Sequence, residues 1–119
     1  MGRRILFVDD DPGWRQTVTT WLEDAGYEVL AVQDASQALL QTGDAKLGLI
    51  ILDLDLGGEN GLMLMKSLQR NHPDVPIFLY TGMQHEEEKV ARMRAQGARE
   101  YLQKGSREEL LKAVQSVLN

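Results

Sequence analysis

Several aspartate residues that could do chemistry come directly after short apolar runs in this chain. Asp9–Asp11 come directly after Ile5–Val8, and Asp53 comes directly after Leu49–Leu52. Carboxylates that are brought together without a partner repel one another, so such a cluster normally holds a cation. Oxygen ligands with no histidine nearby favour Mg²⁺ or Mn²⁺ over zinc. We therefore expect a hard divalent cation where the fold gathers these carboxylates.

Two further residues come after predicted strands: Thr81 follows Ile77–Tyr80, and Lys104 follows the weaker segment Glu100–Leu102. A hydroxyl donor and a positive charge, acting with a metal ion, can stabilise the three equatorial oxygens of a transferring phosphoryl group. Asp53 is the best candidate for the nucleophile, because a carboxylate that attacks phosphorus forms an acyl phosphate. The residue types therefore predict phosphoryl transfer to an aspartate.

The elements that must position these residues can be predicted from the hydrophobic pattern. Apolar runs alternate with helical periodicities, which is typical of βαβ units that form a parallel sheet covered on both faces. Five strands are predicted, the second and fifth with the weakest pattern: Ile5–Val8, Glu28–Val32, Leu49–Leu52, Ile77–Tyr80 and Glu100–Leu102. Because such sheets bind ligands beyond the carboxyl ends of their strands, the polar residues should meet at one edge.

Five helices are predicted between and after these strands. The first should follow Pro12 and end near Gly26. Its residues Trp14 and Trp21 fall at core spacing, which favours packing over ligand stacking. The other helices are predicted to begin near Asp34, after Gly61, near Glu86 and at Ser106. The helix from Glu86 to about Gln96 has few apolar residues, so much of its surface should be exposed.

Composition limits the possible functions. A chain of 119 residues is enough for one domain, so residues 1–119 are predicted to form a single domain. The formal net charge of -5 disfavours nucleic-acid binding, which needs a basic stripe. The absence of cysteine excludes disulfides and fits a reducing compartment, so we expect a cytoplasmic location. No apolar run approaches the roughly 20 residues that span a membrane.

Four segments together resemble the receiver domains of two-component response regulators, and the resemblance runs from Ile5 to the end of the chain. The segments are Ile5–Pro12, Leu49–Asp53 with Gly61 eight residues later, Phe78–Gly82, and Gly97–Ala98 leading to Tyr101–Lys104. The resemblance implies a single doubly wound sheet with the flavodoxin-like strand order 2-1-3-4-5. It also implies a signalling domain that promotes only its own phosphorylation and dephosphorylation, and not an enzyme in the usual sense.

The resemblance assigns roles to the site residues. Asp53 would take a phosphoryl group from a phosphohistidine of a sensor histidine kinase or a histidine phosphotransfer protein. Thr81 and Lys104 would hold the phosphoryl oxygens. The implied ligands of Mg²⁺ are Asp9 through a bound water, Asp10, Asp53 and the backbone carbonyl of Asp55.

The resemblance also implies a switch and its partners. Movement of Thr81 toward the phosphoryl group would let Tyr101 turn inward. This motion would change the face that is built from the fourth helix, the fifth strand and the fifth helix. That face would act on a downstream output domain or target protein, and it could support a homodimer. The implied domain contacts neither nucleic acid nor membrane.

The sequence departs from the usual receiver pattern at two positions near the site. Gly105 follows Lys104 where the family usually has proline, and Gly57-Gly58 replace a second proline. Asp55 and Met83 lie at positions that influence the lifetime of the acyl phosphate in the family. The two histidines, His72 and His85, lie in predicted loops and are expected to be solvated.

Two alternative functions remain open at this point. A pseudo-receiver would keep the fold but signal without phosphate. A phosphatase of the haloacid-dehalogenase type also has an Asp-x-Asp motif after a strand, as in Asp53-Leu54-Asp55. Those enzymes carry the nucleophile on the first strand and the metal-binding acidic pair last. The reverse order in this chain, with Asp9-Asp10 first, disfavours the phosphatase.

Overall fold

A computed structural model describes residues 4–41, 46–54 and 61–118. Within these residues the strands are β1 (Arg4–Val8), β2 (Glu28–Val32), β3 (Leu47–Asp53), β4 (Ile77–Thr81) and β5 (Glu100–Gln103). The helices are α1 (Pro12–Asp24), α2 (Ala35–Gln41), α3 (Gly61–Asn71), α4 (Glu87–Ala95) and α5 (Arg107–Leu118). The alternating order of strands and helices is the one that the hydrophobic pattern predicts.

The five strands form one parallel sheet in the order β2-β1-β3-β4-β5, which confirms the predicted fold class and strand order. Successive residues of the central strands point to opposite faces, as the pleat requires. Leu6 and Val8 pack on one face with residues of α2, α3 and α4. Ile5 and Phe7 pack on the other face with residues of α1 and α5. The sheet therefore has a core on each side.

The strands with the weakest sequence pattern are the two edges of the sheet. β2 and β5 each pair with one neighbour and are largely half-exposed or exposed, whereas β1, β3 and β4 are almost entirely buried. Burial on both faces explains why the central strands read as continuous apolar runs. β3 begins at Leu47, two residues before the predicted start.

The predicted helix boundaries have identifiable chemical causes. Asp11 caps α1, since its Oδ1 accepts hydrogen bonds from the backbone N–H groups of Gly13 and Trp14. Ser106 caps α5 by accepting a hydrogen bond from the Glu109 N–H at 3.1 Å. α4 buries only Met93, as its thin apolar pattern predicts. No helix in the described part of the chain is long and apolar enough to cross a membrane.

Candidate functional site

The ends of three adjacent strands place polar side chains at one edge of the sheet. Val8 pairs with Leu52 in the ladder between β1 and β3. Asp9 and Asp53 are the next residues along the chain after this pair and therefore lie side by side. Asp53 in turn pairs with Tyr80, the residue before Thr81. Asp9 and Thr81 have no exposed surface and Asp53 is 2% exposed, so all three lie inside the protein and not on its rim.

Lys104 carries the positive charge of the site from the end of β5. Its Nζ lies 2.8 Å from Asp9 Oδ2 and 3.5 Å from Asp53 Oδ2. Its backbone N–H donates to the Thr81 carbonyl at 2.7 Å, which fixes the chain beside β4. Burial alone would lower the pKa of Lys104, but the carboxylates of Asp9 and Asp53 outweigh burial and raise it. The ammonium group is therefore charged at neutral pH.

Three carboxylates at this edge can share a cation. Asp9, Asp10 and Asp53 each offer an oxygen within 4.8 Å of the others, and Asp10 is exposed while the other two are buried. Asp9 Oδ1 accepts a hydrogen bond from the Asp11 N–H at 2.9 Å. Asp9 Oδ2 faces Lys104 as an ion pair without a well-directed hydrogen bond, so a buried acceptor remains for a further partner. An oxygen-only set of this kind fits a hard divalent cation.

Arg15 contributes to the site in a way that the sequence analysis missed. Its Nη1 donates to the backbone carbonyl of Asp9 at 2.7 Å. The guanidinium therefore holds the backbone that carries the Asp9 carboxylate. Arg15 lies on α1, six residues from Asp9, and the helical pattern alone gives no reason to assign it to the site.

An aromatic group lies next to the charged residues. Trp14 packs against the α1 and α5 side of the core, as its helical spacing predicts. Its ring also lies 6.0 Å from Lys104 Nζ and 6.3 Å from the ring of Tyr80, a proximity that the sequence analysis did not predict. Burial raises the pKa of Tyr80 to about 12, with a smaller contribution from the charge of Asp9. An aromatic ring therefore borders the ammonium group of Lys104, and a second ring packs against the first.

The comparison with known proteins identifies the architecture. The family model of the response regulator receiver domain matches residues 5–115. The chain belongs to this family. Receiver domains are signalling modules of two-component systems, and the three-carboxylate pocket of this receiver domain fits phosphorylation.

Individual relatives match almost the whole chain. The phosphate regulon regulatory protein PhoB of Pseudomonas aeruginosa is 36% identical over 99% of this chain, which spans only 52% of PhoB. Protein PilH of the same organism is 33% identical, and the match covers 97% of both chains. This chain also resembles the structure of TrrA of Thermotoga maritima in complex with Mg²⁺ and BeF, with a TM-score of 0.86 and 29% sequence identity. The match covers 99% of this chain and 100% of the TrrA chain.

Met83, which lies just after β4, connects Thr81 to Tyr101 in this receiver domain. The Met83 N–H donates to Thr81 Oγ1 at 3.1 Å, and the Tyr101 hydroxyl donates to the Met83 carbonyl at 3.2 Å. His85 Nδ1 lies 2.7 Å from the same hydroxyl. The expectation of solvated histidines is wrong, since His85 is half-buried and bonded and His72 has a buried Nε2. A contact between residues sixteen positions apart leaves no signal in a loop sequence.

Of the two sequence departures, one lies among the described residues and one does not. Gly57-Gly58, and the predicted metal ligand Asp55, lie outside the described residues. Gly105 follows Lys104 with a φ of +132°, and no peptide bond in the described residues is cis. The loop after Lys104 therefore uses a backbone conformation that only glycine adopts readily.

Proposed function

We propose that this receiver domain accepts a phosphoryl group on Asp53, with Mg²⁺, from a phosphohistidine of a sensor histidine kinase or a histidine phosphotransfer protein. The observation that carries the proposal is the position of Lys104, whose ammonium group lies within ion-pair distance of two buried carboxylates. The remaining carboxylate, Asp10, completes an oxygen set that fits a divalent cation.

The chemistry follows from these positions. An Asp53 carboxylate oxygen attacks phosphorus, the bond between phosphorus and the histidine nitrogen breaks, and the imidazole leaves with the bonding electron pair. Lys104 stabilises the negative charge on the phosphoryl oxygens, and the Thr81 hydroxyl donates to another oxygen. When bound, Mg²⁺, or Mn²⁺ in its place, would neutralise further charge on those oxygens. It would be held by Asp10, Asp53 and the backbone carbonyl of Asp55, with Asp9 acting through a bound water.

The burial of Asp53 explains why its carboxylate needs these partners. A carboxylate with 2% exposure has little water to solvate it, so nearby cations must offset the loss of hydration. The same cations lower the barrier for attack on a phosphoryl group that is itself negatively charged. TrrA, whose structure holds Mg²⁺ and BeF, supports the view that a receiver fold can hold a metal beside a phosphoryl mimic.

The proposal includes an output. Thr81 turns toward the phosphoryl group, Tyr101 turns inward, and the face formed by α4, β5 and α5 changes. This face binds the downstream target or a second copy of the chain. We also propose that residues 1–119 are one receiver domain in the cytoplasm, with any output domain outside this sequence. The domain promotes only its own phosphorylation and dephosphorylation.

Phosphorylation of Asp53 can be tested with a small acyl phosphate. Incubation with this donor and Mg²⁺ should add the mass of one phosphoryl group to the intact protein, because the donor replaces the phosphohistidine. The Asp53→Asn variant should show no adduct, and a chelator should abolish labelling of the wild type.

Asp11→Asn is the matched control for this experiment. Asp11 belongs to the same acidic run but caps α1, and asparagine caps a helix as well as aspartate does. The control variant should therefore be labelled like the wild type. An adduct that persists in the Asp53→Asn variant would show that another residue accepts the phosphoryl group.

A further inference from the structure

The Tyr101 hydroxyl lies between two groups of the loop that joins β4 to α4. It donates to the Met83 carbonyl at 3.2 Å, and His85 Nδ1 lies 2.7 Å away on its other side. The two rings also meet edge to face, with centroids 5.8 Å apart and planes at 88°. His85 therefore contacts Tyr101 through both its ring and its nitrogen, although the histidine lies in a loop and the tyrosine in a strand.

The tautomer of His85 decides whether both contacts of the Tyr101 hydroxyl can be hydrogen bonds. Tyr101 has one hydroxyl proton, and a carbonyl oxygen such as that of Met83 can only accept. When the hydroxyl donates to Met83, the 2.7 Å contact with His85 is a hydrogen bond only if Nδ1 carries a proton and the tyrosine oxygen accepts it. If Nδ1 lacked a proton, it would compete with the Met83 carbonyl for the single hydroxyl proton. Both bonds form together only with a protonated Nδ1.

The Met83 peptide links this arrangement to the phosphorylation site. Its carbonyl is held by Tyr101 at 3.2 Å and by Gln103 Nε2 at 3.4 Å. Its N–H donates to Thr81 Oγ1 at 3.1 Å. For Thr81 to move toward Asp53, the Met83 peptide must either follow it or lose this bond. Groups that anchor the carbonyl side of the peptide therefore resist movement of Thr81.

We propose that His85 is a positioning residue of the switch: its Nδ1–H donates to Tyr101, orients the hydroxyl onto the Met83 carbonyl, and thereby restrains Thr81. The restraint on Thr81 rests on the proposed phosphorylation of Asp53. The tautomer and the contact with Tyr101 do not, so the two parts can be tested separately.

The tautomer can be measured by ¹⁵N NMR of the imidazole nitrogens at a pH where His85 is neutral. The expected result is a protonated Nδ1 in the wild type and a protonated Nε2 in Tyr101→Phe, which keeps the ring but removes the oxygen. His72 is the internal control and should be unaffected by the Tyr101 substitution. A wild-type His85 protonated at Nε2 would overturn the proposal, whatever the outcome of the phosphorylation experiment.

The restraint can be measured by titrating the Mg²⁺-loaded protein with beryllofluoride, a mimic of the phosphoryl group. His85→Ala should lower the half-saturating concentration about threefold to tenfold, which is the effect expected for one hydrogen bond. His85→Asn should remain near the wild type, because its side-chain amide nitrogen is attached to Cγ as Nδ1 is. In a Tyr101→Phe background, His85→Ala should have no further effect.

Other results separate the two proposals. An unchanged or raised half-saturating concentration in His85→Ala would overturn the restraint. So would equal effects of His85→Ala in the presence and absence of the Tyr101 hydroxyl. A wild-type protein that does not bind beryllofluoride would overturn the proposed function and the restraint with it, while the NMR measurement would still decide how His85 holds Tyr101.

Discussion

Asp9 is a buried carboxylate held by groups from three parts of the chain. The Asp11 N–H binds Oδ1, Lys104 approaches Oδ2, and Arg15 holds the backbone carbonyl. Burial of an unpaired carboxylate costs free energy of folding, so these contacts are needed for Asp9 to be buried in the folded protein. Lys104 also lies within ion-pair distance of Asp53, so the same ammonium group contacts two buried carboxylates. Asp10 brings a third carboxylate close to these two, and this clustering of carboxylates is the physical reason to expect a cation at the site.

Tyr80 should make the folded protein less stable at alkaline pH. Its pKa is about 12 in the folded protein and has an ordinary value of 10.0, so the unfolded chain loses this proton first as pH rises. The contribution of Tyr80 to stability is fully present below pH 10 and is lost between pH 10 and pH 12. Between pH 9 and pH 11 the free energy of unfolding should fall about 1 kcal/mol more in the wild type than in Tyr80→Phe.

Urea unfolding at the two pH values measures this difference. Lys104 also has a raised pKa and loses its contribution at alkaline pH, but it does so in both proteins, so the comparison isolates Tyr80. Tyr101→Phe serves as a control, because it removes a half-buried tyrosine hydroxyl and keeps the buried phenol of Tyr80. Equal slopes of stability against pH in the wild type and Tyr80→Phe would contradict the assignment.

At the residue scale, the sequence predicts positions at the ends of strands and misses contacts between distant elements. Asp9, Asp53 and Thr81 could be placed at one edge because each follows an apolar run. The contact between His85 and Tyr101, and the approach of Trp14 to Lys104, depend on how separate elements pack. No local pattern encodes such distances.

The loop between β5 and α5 is the element that brings Lys104 to the carboxylates. Lys104 is bonded through its backbone to Thr81, and Gly105 then reverses the chain with a φ of +132° before Ser106 caps α5. The usual proline of the family is fixed near a φ of −65°, so this loop follows a different path. The observed path of this loop therefore requires glycine at position 105.

Substitution of Gly105 should destabilise the protein through the backbone alone. A Cβ at Gly105 would meet nothing within 4 Å, but the positive φ is strained for any other residue. Gly105→Ala should cost about 1–2 kcal/mol of unfolding free energy. Gly105→Pro should cost at least as much, although it restores the family's usual residue, because proline cannot adopt this φ.

Gly82→Ala is the matched control for the Gly105 variants. The stability of all three variants can be measured by urea unfolding. Gly82 has no positive φ, and a Cβ there would lie 3.9 Å from Lys104 Cδ, an ordinary contact. Its replacement should change stability by less than about 0.5 kcal/mol. A Gly105→Pro variant as stable as the wild type would show that the loop can adopt the usual proline conformation.

At the scale of elements, the sequence predicts the type and order of strands and helices well. Caps such as Asp11 and Ser106 mark helix starts because their side chains bind free backbone N–H groups. Element boundaries are predicted less accurately. β3 starts at Leu47, two residues before the predicted start, because its pairing with β1 begins there. The path after Lys104 could not be predicted, because a glycine allows many conformations.

The position of the site follows from the topology of the whole molecule. In the order β2-β1-β3-β4-β5, the chain passes from β1 through α1 to β2 on one side of the sheet, and from β3 through α3 to β4 toward the other side. The connections from β1 and β3 therefore leave on opposite faces, and a crevice forms at their carboxyl ends. Asp9 and Asp10 follow β1 and Asp53 ends β3, so three carboxylates are concentrated at this crevice.

Concentrated carboxylates should make the stability of the whole domain depend on Mg²⁺. Asp9, Asp10 and Asp53 converge within 4.8 Å only in the folded chain, so a cation bound there favours the folded form. At ten times its dissociation constant, Mg²⁺ should add about 1.4 kcal/mol to the free energy of unfolding. Thermal unfolding at matched ionic strength should show a rise in midpoint of roughly 4–8 °C.

The Asp10→Asn variant separates specific binding from general screening. Asp10 is exposed, so its replacement removes a ligand with little change in packing, and the rise with Mg²⁺ should shrink or vanish. Asp11→Asn removes the same charge from the neighbouring helix cap and should keep the full rise. If Mg²⁺ raised the midpoint equally in both variants, the ion would act by screening the net charge of -5 and not by binding at the crevice. Specific binding therefore requires the two adjacent aspartates to respond differently.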